Sequence, residues 1–471
     1  MTRPTTLGAL VESGWTSVPV AEELRRNAID RIREGDSIVA SVLGYEDTVL
    51  PQLENALVAG HDVIFLGERG QAKTRMIRNL TELLDEWMPI VSGSEINDDP
   101  LNPVSAHAKS LVAEKGDDTP IDWVHRDDRY GEKLATPDTS IADLIGEVDP
   151  IKVAEGRYLS DELTLHYGLI PRTNRGIFAI NELPDLSERI QVGLLNVLEE
   201  RDVQIRGFKV RLPLDVVLFA SANPEDYTNR GRIITPLKDR FGSQIRTHYP
   251  LDVETEMTIV AQEAELVPAD VVDVRVPEFI LEIISEFSQQ ARDSSQINQR
   301  SGVSVRLSVA NYEAVVANAV RRSLSSGGDV AVPRVGDLSA IAATTSGKIE
   351  VESFEEGGEG KVINALLRSA VHTTFVDSVD VTLHGPIVDA FENGVTADVG
   401  GDVAASAYVD LLEEVPALKP AVDALLEDDE IDSDHPAVVA SAIELILEGL
   451  HLAKRLNKNE LGGSSQYRGR A

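Results

Sequence analysis

The chain of 471 residues contains no cysteine, which excludes a disulfide framework, thiolate metal sites and cysteine nucleophiles. Basic residues are also scarce. The chain has 44 Lys and Arg and 79 Asp and Glu, so its formal net charge is −35 at pH 7. Such a surface repels nucleic acids and acidic membranes on average. Any site for a polyanion must therefore be a local concentration of basic groups.

Long apolar runs are missing as well. No apolar segment reaches the roughly 18 residues that a membrane span requires, and the N-terminus lacks the core of a signal peptide. The nine histidines show no spacing typical of metal ligands. We therefore expect a cytoplasmic protein without membrane contact, and the length predicts about two to four domains.

Hydrophobic periodicity indicates how the first half of the chain is organised. Residues 1–44 carry an apolar residue every three to four positions and predict an N-terminal helical arm. Between residues 45 and 250, short β-rich runs alternate with helical patterns, which predicts an α/β fold with a parallel sheet covered by helices on both faces. The polar interval at about 92–140 is too long for a plain loop and predicts an insertion on this core.

The second half of the chain is predicted to be mostly helical. Residues 251–350 indicate a separate helical domain, and residues 351–458 a C-terminal helical extension. Residues 459–471 have the composition of a disordered tail. The motifs that carry chemistry therefore fall in the first half and in the first helical domain.

The segment GERGQAKT, residues 67–74, follows the apolar run DVIFL and has the form of a phosphate-binding loop. A triphosphate needs inward-facing backbone N–H groups, a helix N-terminus and a neutralising cation. Gly67 ends the strand and Gly70 gives the loop a position without a Cβ. Lys73 can reach the terminal phosphates, and Thr74 can ligate Mg²⁺.

The predicted ATP-binding residues are those of the whole loop. They are Gly67, Glu68, Arg69, Gly70, Gln71, Ala72, Lys73 and Thr74. Ala72 stands where the common pattern has its last glycine. In the alternative interpretation the loop is a plain glycine turn between strand and helix that happens to carry a lysine. The motifs that follow along the chain must distinguish these two interpretations.

A hydrolytic phosphate site also needs a carboxylate at the end of a neighbouring buried strand. The run GIFAINELPDL ends such a strand with Asn181 and Glu182, where the usual pair is Asp-Glu. Glu182 keeps a carboxylate that can orient water, whereas Asn181 offers an acceptor without charge. We therefore expect Mg²⁺ at Thr74, Asn181 and Glu182, with weaker metal binding and slower turnover. Alternatively, Glu182 only caps the following helix.

Basic residues and a polar strand end follow this carboxylate. Residues 202–213 alternate as a β-hairpin and concentrate Arg and Lys in a very acidic chain. The strand DVVLFASA then ends in Asn223, where an amide could contact a γ-phosphate. The segment NRGRIITPLKDRFG adds further basic residues up to Arg240. Each arginine alone is more typical of a surface salt bridge, but together and in this order they favour a nucleotide site.

In this order the motifs resemble those of the AAA+ ATPases, and within them the MoxR and magnesium-chelatase ATPase-subunit (ChlI/BchI-like) group. The resemblance covers roughly residues 45–350 and implies an αβα P-loop core with a parallel five-stranded sheet and a helical lid. MoxR-type loops commonly carry alanine at the position of Ala72. The segments at about 156–175 and 202–213 resemble the two insertions of this clade, in helix 2 and before sensor 1.

The resemblance implies a role for each motif residue. Glu182 resembles the catalytic glutamate and Asn223 the first sensor. Arg240 resembles an arginine finger that serves the ATP of the neighbouring subunit. Arg306 resembles the second sensor, in the helical lid.

The function that the resemblance implies is Mg²⁺-dependent ATP hydrolysis in a ring, by family resemblance of six subunits. The ring would couple hydrolysis to a conformational change in a partner protein that carries a von Willebrand A domain. An alternative is a nucleotide-switched assembly scaffold in which Asn181 makes hydrolysis negligible. The charge of −35 disfavours a nucleic-acid motor. A magnesium insertase for tetrapyrrole synthesis stays open, because nothing in the chain identifies a porphyrin.

Overall fold

The computed structural model of the chain describes most of its residues. The described ranges are 3–148, 165–199, 202–204, 211–223, 231–298, 302–351, 358–427, 431–461 and 464–470. The chain divides into two compact units, Met1–His248 and Tyr249–Ala471. This division falls close to residue 250, where the sequence predicts the end of the α/β core.

The first unit alternates strands and helices. Its described strands are β1 (Val63–Leu66), β2 (Trp87–Val91), β3 (Ile121–His125), β4 (Tyr130–Leu134), β5 (Gly146–Val148), β6 (Leu165–Tyr167), β7 (Gly176–Asn181), β8 (Asp202–Gln204), β9 (Arg211–Pro213), β10 (Val216–Ala222) and β11 (Ser243–Arg246). Its described α-helices are α1 (Leu7–Glu12), α2 (Val20–Glu34), α3 (Val49–Ala59), α4 (Lys73–Asn79), α5 (Ala106–Lys115), α6 (Ile141–Leu144), α7 (Leu169–Arg172), α8 (Glu188–Glu199) and α9 (Thr235–Arg240). Short 3-10 helices cover Leu80–Leu83, Gly116–Asp118, Arg126–Arg129 and Leu183–Asp185.

A sheet of five parallel strands, in the order β11-β1-β10-β7-β4, forms the centre of this unit. Strands β7 and β10 are buried at every position. Strands covered on both faces need apolar side chains throughout, which is why their sequences read as continuous apolar runs. The predicted α/β core with a parallel five-stranded sheet is confirmed.

Helices cover both faces of this sheet. Ile177 and Ala179 of β7 belong to one hydrophobic cluster and Phe178 and Ile180 to another, since successive side chains of a strand point to opposite faces. Helices α2, α3 and α4 contribute to the first cluster, and α8 and α9 to the second. Of the predicted N-terminal helical arm, residues 1–44, helix α2 packs on the sheet, whereas residues 35–44 are not helical.

The interval at 92–140, predicted to be an insertion, is only partly separate from the core. Strand β3 pairs antiparallel with β2, outside the central sheet. Strand β4, in contrast, is the edge strand of the central sheet and runs parallel to β7. The prediction is wrong for β4, because its sequence YGEKL is polar and charged, as edge strands often are, and does not form the apolar run of a buried strand.

The two insertions expected at about 156–175 and 202–213 are described in part. Residues 156–164 lie outside the described ranges, and β6 pairs antiparallel with β5. Strands β8 and β9 pair antiparallel, so the two strands of the predicted hairpin are present. The residues between them, 205–210, lie outside the described ranges.

The second unit is mostly helical, but the helical domain predicted for residues 251–350 and the extension predicted for residues 351–458 share one hydrophobic core and form a single compact unit. Its described α-helices are α10 (Val253–Glu263), α11 (Glu278–Asp293), α12 (Val305–Ser325), α13 (Ile341–Thr345), α14 (Gly358–Ser378), α15 (Val381–Glu392), α16 (Ala405–Glu414), α17 (Lys419–Leu425) and α18 (Pro436–Leu452), with 3-10 helices at Val335–Ala340 and Pro416–Leu418. Its described strands are β12 (Asp273–Val274), β13 (Val330–Ala331), β14 (Thr396–Gly400), β15 (Asn457–Leu461) and β16 (Ser464–Arg468). None of the helices in the described ranges combines the length and apolar character needed to cross a membrane.

The C-terminal residues 459–471, predicted to be a disordered tail, contain two strands instead. Strand β16 pairs antiparallel with both β14 and β15. Its Tyr467 is 2% exposed and donates a hydrogen bond from its hydroxyl to Glu448. Lys458 of β15 donates to the same carboxylate, at 2.9 Å. This segment therefore contains one buried aromatic side chain, although its composition is mostly polar.

Candidate nucleotide-binding site

The predicted site residues that follow strands β1, β7 and β10 meet at one edge of the central sheet. Strands β1, β7 and β10 are neighbours and parallel, so their carboxyl ends lie together, where α/β folds bind ligands. Leu66 at the end of β1 pairs with Ala222 at the end of β10, and the N–H of Gly67 donates to the carbonyl of Ala222 at 3.1 Å. The phosphate loop and Asn223 therefore leave the sheet side by side.

Gly67 is required by close packing at the start of the loop. A Cβ at this position would overlap Thr247 Oγ1 and Gln71 Oε1 and would lie 3.2 Å from Thr247 Cβ. Thr247 and Gln71 are both buried, and the threonine hydroxyl donates to Gln71 Oε1 at 2.6 Å. The hydrogen bond between these two side chains thus occupies the space that any larger residue at 67 would need.

The turn of the loop uses two residues with left-handed backbone conformation. Gly70 has φ 77°, and Ala72 has φ 53° and ψ 12° directly before α4 begins at Lys73. Left-handed conformation costs a non-glycine residue roughly 1–2 kcal/mol. Ala72 therefore takes up a conformation that favours glycine, so the unusual residue leaves the shape of the loop intact.

Side chains from outside the loop fix its middle. The Tyr45 hydroxyl lies 3.0 Å from the carbonyl oxygen of Gln71 and 2.8 Å from that of His248, and its single proton can be donated to either. Burial raises the pKa of the Tyr45 phenol, so the hydroxyl keeps its proton and remains a donor. Together with Thr247, which binds the side chain of Gln71, it holds the loop against the end of β11.

Lys73 places a positive charge within the loop. Its side chain is buried, and Nζ donates to the carbonyl oxygens of Gly67 at 2.5 Å and Glu68 at 2.6 Å. Three N–H donors on one ammonium can bind carbonyl and phosphate oxygens alike. Lys73 is therefore held inside the loop by its carbonyl oxygens, and its contact with phosphates stays a prediction.

Thr74 and Asn181 connect the loop to the second motif. Thr74 Oγ1 donates to Asn181 Oδ1 at 3.2 Å, and the same oxygen accepts from Ser221 of β10 at 3.2 Å. The hydroxyl and the amide oxygen, both predicted to face Mg²⁺, are thus adjacent although 107 residues separate them in sequence. This contact supports the prediction that the two segments form one site.

Glu182 follows Asn181 with an unusual backbone conformation. Its φ is 55° and ψ 48°, and its N–H donates to Ser221 Oγ at 3.3 Å. Strained non-glycine residues are concentrated at functional sites, where the surrounding structure maintains them. Although Glu182 precedes the 3-10 helix Leu183–Asp185, its side chain makes no capping hydrogen bond within that described segment. The geometry thus disfavours the capping interpretation.

A carboxylate that the sequence analysis did not identify lies behind Asn181. Asn181 Nδ2 donates to Glu132 Oε1 at 2.7 Å, and Arg78 of α4 holds both carboxylate oxygens of Glu132, at 2.8 and 2.9 Å. Burial tends to raise the pKa of Glu132, but hydrogen bonds from Arg78, Tyr130 and Asn181 outweigh it, so the pKa is lowered. The sequence analysis did not find Glu132 because it did not recognise the charged segment YGEKL as a strand of the sheet.

The remaining predicted residues lie on other elements. Asn223 is buried at the end of β10, close to the loop. Arg240 ends α9, where its Nη1 donates to the carbonyl of Pro236 at 2.9 Å. Arg306 is exposed in the first turn of α12, in the second unit. The roles of these three residues toward a nucleotide remain predictions.

The donor set at the edge of the sheet fits Mg²⁺. Thr74, Asn181 and Glu182 supply a hydroxyl, an amide oxygen and a carboxylate, and Mg²⁺ prefers oxygen ligands. No group of three or more His, Cys, Asp or Glu side chains in the described ranges could hold a metal ion alone. A Mg²⁺ that keeps water and phosphate ligands does not need such a group.

Comparison with known proteins relates the chain to magnesium chelatase. No family model matches the chain. The magnesium-chelatase subunit ChlI from Nostoc sp. is 28% identical over 233 residues, or 48% of this chain and 58% of that protein. The magnesium-chelatase 38 kDa subunit from Cereibacter sphaeroides is 28% identical over 236 residues, or 47% of this chain and 62% of that protein. The chain thus spans about three fifths of the length of these curated relatives.

Solved structures give a weaker comparison. A chain of the complex between subunits BchI and BchD of magnesium chelatase is 20% identical, with a TM-score of 0.36 over 67% of this chain and 96% of that chain. At this identity and TM-score the similarity says nothing about function. The sequence similarity to ChlI, the five-stranded parallel sheet and the phosphate loop at its edge do agree with one another. Over about half of its length the chain is therefore similar in sequence to the ChlI and 38 kDa subunits of magnesium chelatase.

Proposed function

We propose that the chain binds Mg²⁺ and ATP at this edge of the sheet and hydrolyses the ATP. The contact between Thr74 Oγ1 and Asn181 Oδ1, at 3.2 Å, carries the proposal. It joins the phosphate loop to the strand that ends in a carboxylate, and these are the two parts that a hydrolytic phosphate site needs.

The residues around this contact divide the chemistry among them. Lys73 neutralises the terminal phosphates and Thr74 with Asn181 holds the metal ion, which, when bound, offsets the charge that develops during phosphoryl transfer. Glu182 accepts a hydrogen bond from water and orients it toward the γ-phosphate. Asn223, at the end of the neighbouring strand, donates from its amide to the γ-phosphate.

We infer that hydrolysis also requires a second copy of the chain. The sequence resemblance assigns Arg240 as an arginine finger for the ATP of the neighbouring subunit, and Arg306 as a sensor in the helical unit. A positive charge supplied in this way increases the rate of hydrolysis by about 10³- to 10⁵-fold. The resemblance favours a ring of six subunits, in which loss of the γ-phosphate changes contacts at each interface.

The proposed partner is a protein with a von Willebrand A domain, on which the ring acts as a remodelling or chelatase-like motor. This assignment rests on the resemblance, and the related BchI subunit is itself described in a complex with BchD. A pull-down with Glu182→Gln in ATP tests it, because a ring that cannot hydrolyse ATP should retain its partner. Recovery of the same proteins with and without ATP would count against an ATP-driven interaction.

Steady-state ATPase assays with Mg²⁺ test the proposed hydrolysis. Glu182→Gln should lower the rate by about 10² to 10⁴, the usual contribution of a general base. Glu188→Gln is the matched control, because Glu188 is exposed at the start of α8 and should leave the rate unchanged.

One observation favours a second candidate, a nucleotide-switched assembly scaffold. Asn181 brings no charge to the metal, which would slow hydrolysis more than it weakens nucleotide binding. A scaffold would bind ATP and assemble but show no ATPase activity above that of Glu182→Gln. Brisk hydrolysis by the wild type, abolished by Glu182→Gln, would exclude it.

A further inference from the structure

The chain replaces the usual strand-end aspartate by Asn181, and the structure shows what lies next to it. Asn181 sits between two sets of partners. Its Oδ1 accepts from the hydroxyls of Thr74 and Ser221, both at 3.2 Å, and its Nδ2 donates to Glu132 Oε1 at 2.7 Å. The amide therefore bridges the phosphate loop and the edge strand β4.

Glu132 fixes the direction of this amide. An ionised carboxylate only accepts hydrogen bonds, so the amide NH₂ must face Glu132 and the amide oxygen must face Thr74. Hydroxyl groups alone would not decide the orientation, because Thr74 and Ser221 can donate or accept. The carboxylate on β4 therefore determines that an oxygen, and not an NH₂ group, points toward the predicted metal position.

Glu132 is itself held in place by side chains of α4 and β4. Arg78 binds both of its oxygens, at 2.8 and 2.9 Å, and Tyr130 donates to Oε2 at 2.9 Å. Arg78 belongs to α4, the helix that begins with Lys73 and Thr74. A donor bound to a carboxylate is polarised, which makes the oxygen at the other end of the amide a stronger acceptor.

We propose that Glu132 is a positioning residue of the Mg²⁺ site, which orients Asn181 so that its amide oxygen faces the predicted metal position. The inference rests on the proposed function. Arg78, which forms an ion pair with the carboxylate of Glu132, links this carboxylate to the helix that carries the metal-facing Thr74.

The effect of Asn181→Asp distinguishes a positioning role of Glu132 from a simple loss of charge at position 181. If Asn181 were only a defect, Asn181→Asp would repair it. With Glu132 in place, Asn181→Asp instead sets two carboxylates at hydrogen-bond distance, where they cannot both ionise freely. The reciprocal exchange Glu132→Gln with Asn181→Asp restores one amide and one carboxylate with their positions swapped.

Equilibrium binding of a fluorescent ATP analogue to the full chain tests the proposal, with Mg²⁺ and with EDTA. Residues that hydrogen-bond to the ligands of a metal ion typically contribute about 10- to 100-fold in metal affinity. We expect Glu132→Gln and Asn181→Asp each to reduce the gain in affinity from Mg²⁺ by about tenfold, with little change in EDTA. The double variant should recover most of this gain. Glu147→Gln, an exposed carboxylate on β5, is the matched control.

Each outcome of this experiment decides between the alternatives. Equal losses with Mg²⁺ and EDTA would mean that Glu132 is only structural, and a double variant as weak as the singles would also overturn the proposal. Unchanged binding by Glu132→Gln would overturn the inference and leave the proposed function intact. A wild type that binds no nucleotide would overturn both. If Glu132→Gln does not fold, Glu132→Asp serves instead, because its shorter side chain moves the carboxylate away from Asn181 and keeps its charge. The gain in nucleotide affinity from Mg²⁺ should then fall by the same factor.

Discussion

Gly67→Ala should destabilise the first unit because the space at this position is already filled. An added Cβ would overlap Thr247 Oγ1 and Gln71 Oε1. Thr247 cannot move away easily, because its N–H donates to the carbonyl of Leu66 at 2.9 Å and its hydroxyl to Gln71 at 2.6 Å. The substitution must therefore break the hydrogen bond between the two buried side chains.

The magnitude follows from two contributions. Overpacking costs about 1–3 kcal/mol, and loss of a buried hydrogen bond adds about 1 kcal/mol, so the free energy of unfolding should fall by about 2–4 kcal/mol. All three tryptophans, Trp15, Trp87 and Trp123, lie in the first unit, so tryptophan fluorescence during urea denaturation reports on that unit. Nucleotide binding should weaken in parallel, because the loop must shift.

A second substitution tests whether the clash is the cause. Thr247→Ala removes the nearest overlapping atom, so in that background Gly67→Ala should cost at least about 1 kcal/mol less than in the wild type. A loss below about 0.5 kcal/mol for Gly67→Ala, or an equal loss in both backgrounds, would refute the steric reasoning.

Two further predictions concern buried charges. Glu23→Gln should destabilise the first unit by about 3–5 kcal/mol, because Arg129, which is 1% exposed, would lose the carboxylate that binds both its terminal nitrogens. Glu22→Gln is the control in the same fluorescence assay, because the ion pair of Glu22 is half-exposed. Equal losses of stability in the two variants would contradict this prediction. Burial, with the nearby charge of Asp377, raises the pKa of Glu282 to about 7. The folded state then binds more protons than the unfolded state between about pH 4.5 and 7, so stability should fall as pH rises through this window. Glu282→Gln should flatten this dependence in thermal unfolding followed by circular dichroism, and an unchanged slope would contradict it.

The sequence predicted those parts of the fold that local patterns specify. Strands β7 and β10 are continuous apolar runs followed at once by polar residues, so both the sheet and the functional residues at its edge could be placed. The phosphate loop was recognisable because its glycines and lysine lie within eight residues. Its closeness to Asn181 followed from the rule that parallel strands share a carboxyl edge.

The features that sequence analysis missed depend on contacts between distant segments. Strand β4 is polar because it lies at the sheet edge, so periodicity did not separate it from an inserted loop. The bond between Glu132 and Asn181 depends on the pairing of β4 with β7, which no local pattern encodes. Strand β16 is held by the single buried Tyr467 in an otherwise polar segment.

The affinity of Lys73→Ala for ATP with Mg²⁺ shows whether ATP binds at the phosphate loop. Isothermal titration calorimetry should show binding by the wild type and a loss of at least about 10- to 100-fold in Lys73→Ala, because a charged hydrogen-bond donor to the phosphates is removed. Lys109→Ala, an exposed lysine on α5, should bind like the wild type. Equal affinity of the wild type and Lys73→Ala would mean that ATP does not bind at this loop.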